Sequence, residues 1–151
     1  YFKSKRLIIS SVKLTLLRIF IDGGTHKSRI CLVDQKHGKE IVKQRSGDPT
    51  NNELEYLALL YALSYIQTNK IRARNITILS DSKLVVMQVN HKWKVNNQRL
   101  DSLRVKCQNK IGSNIKIKWI GRNKNKAGII LDKMRKMDYY RLRLKKARGR
   151  G

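Results

Sequence analysis

Carboxylates are scarce in this chain, and several of them stand where apolar runs end. The segments are Ile19-Phe20-Ile21-Asp22-Gly23-Gly24, Thr50-Asn51-Asn52-Glu53-Leu54-Glu55-Tyr56 and Ile78-Leu79-Ser80-Asp81-Ser82. Only 10 Asp and Glu face 35 Lys and Arg in 151 residues. Acids at the ends of apolar strands in so basic a chain need a chemical reason. Carboxylate oxygens are the hard ligands that Mg²⁺ takes, and a polyanionic substrate accounts for the basic surroundings. The pattern points to a divalent-metal site that works on nucleic acid, with its ligands among Asp22, Glu53, Glu55 and Asp81.

The charge is spread over the whole chain. The first 17 residues hold four cations and no acid, and the last 18 hold eight cations and one acid. The formal charge is +25, so the remaining body still keeps a net +14. Self-repulsion on this scale calls for a polyanionic partner. Cys31 and Cys107 belong to no metal-type spacing and read as buried or free thiols of a reducing compartment, with a single disulfide left open. No run approaches the roughly 20 apolar residues of a membrane span, and no small-molecule cofactor is implied. The acid-free segment after Tyr1, rich in Lys, Ser and Leu, has the character of an organelle presequence remnant or of a basic RNA-binding arm. An intracellular, organellar (mitochondrial) location follows from the first alternative.

These acids must be positioned by a small set of elements. Leu16–Gly23 reads as a strand closed by a Gly-Gly turn, and Arg29–Asp34 and Glu40–Gln44 as two more strands of an antiparallel meander. Thr50-x-x-Glu53 is a capping box, and the apolar spacing after it predicts a helix over Asn51–Gln67. In that box Glu53 turns back on the Thr50 backbone. Asn75–Leu79 is a strand, followed by helices over Lys83–Asn90 and Asn97–Lys110. Ile115–Ile120 is a half-wet strand, and Asn125–Met137 a last helix. Three hairpin strands followed by alternating helices and strands imply an α/β fold with a five-stranded mixed sheet. A right-handed crossover sets the fourth strand parallel to the first and beside it. Asp22 and Asp81 then become neighbours at one sheet edge. The expected organisation is a basic N-terminal arm over 1–17, a folded domain over 18–137, and a basic low-complexity tail over 138–151.

Four segments in this order resemble the type 1 ribonuclease H family, and more closely its short reverse-transcriptase-like branch. They are Phe20–Gly24, Thr50–Leu59, Ser80–Asn90 and Lys118–Gly128, within a resemblance that covers roughly Arg18–Lys133. It implies an RNase H-like fold and assigns Asp22, Glu55 and Asp81 as catalytic ligands of two Mg²⁺ or Mn²⁺ ions. Those ions would act on the RNA strand of an RNA–DNA hybrid. Asn51 and Asn52 match positions that touch the hybrid backbone. His91-Lys92-Trp93-Lys94-Val95-Asn96-Asn97 resembles the substrate-gripping segment, so Lys92, Trp93, Lys94 and Asn97 join the expected nucleic-acid contacts, together with Arg122.

The departures are informative. The fourth acid of the family, on the last helix, is replaced by Gly128, and Asp132 one turn later stands as a candidate substitute. The glycine-rich loop after the first strand is shortened to Thr25-His26-Lys27-Ser28. No His precedes the last helix, and His26, His37 and His91 read as exposed loop residues. The tail contributes Arg141, Arg143, Lys145, Lys146, Arg148 and Arg150 as further contacts. Its composition also fits a structural subunit that binds rRNA and ribosomal proteins in an organellar ribosome, with the acidic pocket a relic. A transposon or reverse-transcriptase fragment is the third reading.

Overall fold

The computed structural model describes residues 16–150. The expected N-terminal arm therefore lies outside the described residues, apart from Leu16 and Leu17. Those two open β1 (Leu16–Gly24) rather than closing an arm, and Leu17 is already buried. From Ile19 to Gly23 every residue of β1 is buried. A strand covered on both faces has no polar alternation, which explains the unbroken apolar run up to Asp22.

Among the described residues, β2 (Arg29–Asp34), β3 (Lys39–Gln44), β4 (Asn75–Ser80) and β5 (Ile115–Trp119) join β1 in one sheet of order β3-β2-β1-β4-β5. β2 pairs antiparallel with both β1 and β3, whereas β4 pairs parallel with both β1 and β5. The expected neighbour relation of the first and fourth strands is therefore present. Ile21 is in register with Ser80, so Asp22, in β1 just past its pairing with β4, lies beside Asp81, which follows the carboxyl end of β4.

Helices α1 (Asn51–Thr68), α2 (Lys83–Val89), α3 (Gln98–Gln108) and α4 (Lys126–Arg148) divide between the two faces. Side chains alternate along β1. Leu17, Ile19 and Ile21 face a core shared with Leu54, Leu59 and Leu63 of α1, Val85 of α2 and Leu100 of α3. Phe20 points the other way, with Cys31, Val33 and Leu79, against Ala127 and Leu131 of α4. Each fully buried aliphatic side chain here contributes roughly 1.5–3 kcal/mol. Both cysteines are buried and free, and burial pushes each thiol up to about 12.

Three local expectations are corrected. The Thr50 hydroxyl accepts from the Glu53 N–H at 3.2 Å, but the Glu53 carboxylate accepts from that same hydroxyl, not from the Thr50 backbone. One hydroxyl can donate once and accept twice, so it closes both halves of the cap. Gly23 and Gly24 are not a turn: both still pair with β2. The turn comes later, as a 3-10 segment over His26–Ser28. Finally, α4 does not stop near Met137 but runs to Arg148, through most of the segment expected to be a tail. Lys, Arg, Leu and Ala are all good helix formers, and no Gly or Pro intervenes until Gly149. The middle of the helix is tied down by Asp138, which pairs with Arg29 at 2.7 Å and with His26 and Lys27 at 3.2 Å.

Both outer strands carry charge. On β3, Lys39, Glu40 and Lys43 are exposed, and on β5 Lys116 and Lys118 alternate with the inward Ile117. No described helix is long and apolar enough to cross a membrane.

Candidate functional site

Three carboxylates converge at the carboxyl edge of β1 and β4. One oxygen each from Asp22, Glu55 and Asp81 lies within 4.8 Å of the other two. Asp22 is placed by β1, Asp81 by the end of β4, and Glu55 by the amino-terminal part of α1, just past its first turn. Glu55 reaches the group because Gly23 has no side chain. A Cβ there would lie 2.5 Å from the backbone C and O of Leu54 and 2.9 Å from the Glu55 nitrogen. The glycine lets α1 settle directly on the strand end.

Asn125, absent from the expected site residues, organises the other side. It is fully buried. Its Nδ2 donates to the Ile21 carbonyl and to Asp81 Oδ2, both at 2.9 Å, and its Oδ1 accepts from the Ala127 N–H at 3.2 Å. One side chain thus caps α4, ties it to β1 and orients an acid. The sequence signal for it was its place just before the Ala127-Gly128 helix start. Trp119 adds a second restraint, donating from Nε1 to the Asp81 carbonyl at 3.1 Å.

The electrostatics are those of acids held together against their own repulsion. Burial is the main cause raising Asp22, followed by the charge of Asp81; a hydrogen bond with Glu55 and the Gly23 backbone oppose it. Glu55 is raised further, again by burial first, then by Asp22 and Asp81. Its Oε2 is buried without a hydrogen-bond partner among the described residues. Hard oxygen donors, an orphaned carboxylate oxygen and raised proton affinities together fit a divalent cation such as Mg²⁺ or Mn²⁺.

The surrounding cavity, about 190 Å³, is also lined by Asn51, His26, Arg122, Asp132 and Arg135. Asp132 does not join the three clustered acids. Its Oδ1 lies 3.7 Å from Arg122 and from Arg135, and its side chain is more than a third exposed. Gly128 does sit at the cluster: a Cβ there would be 3.3 Å from Asp81 Oδ2 and 3.4 Å from Asp22 Oδ2. Asn51 faces the cavity, while Asn52 is exposed outside its lining.

The Lys92–Lys94 segment lies elsewhere. Gln88 accepts from the buried Tyr56 hydroxyl at 2.8 Å and donates to the Lys94 carbonyl at 3.3 Å. The Lys92 and Trp93 N–H groups both close on the Met87 carbonyl. This leaves Trp93 exposed rather than in the core, on a groove of about 510 Å³ with Lys92 and Lys94. Asn97 caps α3 by accepting from the Arg99 and Leu100 N–H groups. The three histidines are exposed, yet each has a partner: Asp138, Asp34 and Gln108 for His26, His37 and His91. The tail cations Arg141, Arg143, Lys145, Lys146 and Arg148 project from α4, and Arg150 follows it, all exposed.

Comparison with known proteins agrees with this geometry. A family model described as "Reverse transcriptase-like" matches residues 24–134. A bifunctional protein of Mycobacterium tuberculosis, Rv2228c, is 36% identical over 85 residues, which are 55% of this chain and 23% of the relative. The chain thus spans about a quarter of the length of the curated relatives it matches. The solved N-terminal RNase H domain of that protein, a fusion with maltose-binding protein, superposes with TM-score 0.60 at 28% identity, covering 74% of this chain and 86% of the other. LC11-RNase H1 in complex with an RNA/DNA hybrid gives TM-score 0.61 at 26% identity, over 73% and 88% of the two chains. RNase H1 of the halophilic archaeon Halobacterium salinarum gives 0.63 at 24% identity, over 74% and 90%, a likeness of fold.

Proposed function

The chain belongs to the reverse transcriptase-like family of RNase H-fold proteins, and from that premise we propose that it hydrolyses the RNA strand of RNA–DNA hybrids. The observation that carries this is the convergence of Asp22, Glu55 and Asp81 within 4.8 Å. A similar chain, LC11-RNase H1, has been solved on a hybrid, which supports the choice of substrate.

In this reading the three carboxylates hold Mg²⁺ or Mn²⁺, two ions in the active state. Bound divalent cations would acidify an attacking water and stabilise the leaving 3′ oxygen of an in-line displacement. The protein contributes the arrangement. Gly23 admits Glu55, and Asn125 and Trp119 fix Asp81. Arg122 and Arg135 line the same cavity and offer bidentate donors to phosphate oxygens. Asn51, at the amino end of α1, adds an amide at the cavity wall. The exposed Lys92, Trp93 and Lys94 grip the substrate away from the reacting bond by charge and stacking. Such contacts read shape and sugar rather than sequence. The ribosomal reading draws no support from the relatives named above.

The test is cleavage of an end-labelled hybrid with and without Mg²⁺. Wild type should cut in a Mg²⁺-dependent way, and Asp22→Asn should lose at least about a hundredfold in rate, the order lost when even one group that stabilises transition-state charge is removed. Binding of the hybrid should survive the substitution. Undiminished cutting by Asp22→Asn would defeat the assignment of the acids, and no cutting by wild type would defeat the activity.

A further inference from the structure

The far half of α4 and the short turn after β1 enclose a second, larger groove of about 1080 Å³. Among the described residues its lining includes six Lys and Arg (Lys27, Arg135, Lys136, Arg141, Lys145, Arg148) against the single carboxylate of Asp138. Tyr139 and Tyr140 also line it. They are 57% and 60% exposed, so neither is a core residue. Their rings meet edge to face at 6.2 Å, and the Arg143 guanidinium lies 5.8 Å from the Tyr139 ring. His26 and Arg135 belong to this groove and to the acidic cavity alike. The two are therefore neighbours that share a wall.

The turn that carries His26 is held in place at a cost. Lys27 and Ser28 both adopt left-handed backbone, with φ of 55° and 46°. Two such non-glycine residues cost about 1 kcal/mol or more each and persist only where their surroundings impose them. Here the restraint is Asp138 on α4, which gathers His26, Lys27 and Arg29. That contact fixes the wall shared by groove and cavity.

Cations interleaved with exposed aromatic rings are the chemistry that holds single strands. The cations track phosphates, and the rings stack on bases that a duplex would keep hidden. We propose that this groove binds a single-stranded segment of nucleic acid continuous with the hybrid, so that the protein favours hybrids with an unpaired overhang over blunt ones. This rests on the proposed hybrid substrate, but it concerns binding and not cutting.

The experiment uses the full chain and a fluorescent probe: a blunt hybrid, the same hybrid with an oligouridylate overhang, and the oligouridylate alone. Anisotropy is measured in EDTA, so that metal plays no part. Wild type should bind the overhang hybrid more tightly than the blunt one. Tyr139→Ala/Tyr140→Ala should weaken binding to the oligouridylate by about tenfold or more and leave the blunt hybrid within about twofold. Arg141→Gln/Lys145→Gln should lower the salt slope of oligouridylate binding by about 1.4, the value for two lost single-strand phosphate contacts. All four side chains are exposed, and unchanged thermal melting serves as the folding control. Equal affinity of wild type for blunt and overhang hybrids overturns the proposal, and so does a tyrosine variant that binds oligouridylate like wild type. A self-associating chain whose dimer, but not whose oligonucleotide binding, is lost in the tyrosine variant overturns it in favour of a second copy. A wild type that prefers overhangs yet never cuts hybrids with Mg²⁺ would sink the hydrolytic function and leave the groove standing.

Discussion

Replacing Asp22 by Asn should make the metal-free protein more stable, although it should abolish cutting. Asp22 is raised from its ordinary 3.8 to about 7, chiefly by burial and then by Asp81. A raised folded-state value means that the acid is at ease in the fold below about pH 4 and becomes destabilising as pH climbs towards and past 7. At roughly 1.4 kcal/mol per pKa unit the full burden is about 4 kcal/mol at about pH 8, and about 2 kcal/mol at about pH 5. Asparagine is neutral throughout and can still accept from the Gly23 N–H, so it escapes that burden. Even half of the full figure, about 2 kcal/mol, moves Tm upward by about 4–8 °C in a chain of this length. The assay is thermal and urea unfolding in EDTA at several pH values, repeated with Mg²⁺. The gain should grow from acid to alkaline pH. Added Mg²⁺ should stabilise wild type and leave Asp22→Asn nearly unmoved. A variant no more stable than wild type at about pH 8 in EDTA would refute the view that these acids are held together against their own repulsion.

Gly128→Asp would place a fourth carboxylate beside Asp81 and Asp22, whose oxygens lie 3.3 and 3.4 Å from the added Cβ. It should lower metal-free stability by about 1–3 kcal/mol, through crowding and like charge, and tighten Mn²⁺ binding severalfold in isothermal titration. Asn125→Ala removes a helix cap and leaves the Ile21 carbonyl without this donor. The combined loss should be about 2–4 kcal/mol, read in urea, with a matching fall in metal affinity because Asp81 is no longer oriented.

The sheet and its acids were legible from sequence because their signals are local and strong. An apolar run ending in Asp, a Thr capping a periodic helix, and a β-rich run before Ser-Asp-Ser each announce themselves within a few residues. Right-handed crossover then brought Asp22 beside Asp81 without any knowledge of side-chain contacts. What stayed hidden depends on contacts across the chain. Gly23 looks like a turn residue until α1 lies upon it, and Asn125 looks like an ordinary cap until Ile21 and Asp81 are seen within reach of its amide. The length of α4 was obscured by its charge. Lys and Arg density reads as a loose tail, whereas helix propensity and the distant Asp138 anchor keep the segment wound. Asp34 is similar: it is fully buried, and only the folded chain shows it accepting from Tyr65 and the His37 N–H and paired with the His37 ring.

The exposed lysines on β3 and β5 have a consequence for how copies of this protein behave in a crowd. An open sheet invites other strands to dock along its rims, and cationic rims make two such molecules repel instead of zipping together. That protection depends on the charge staying uncovered. A long polyanion lying across several copies would mask it and bring the rims close, so clustering should peak when polyanion phosphates and protein charges are near balance and dissolve again with excess of either.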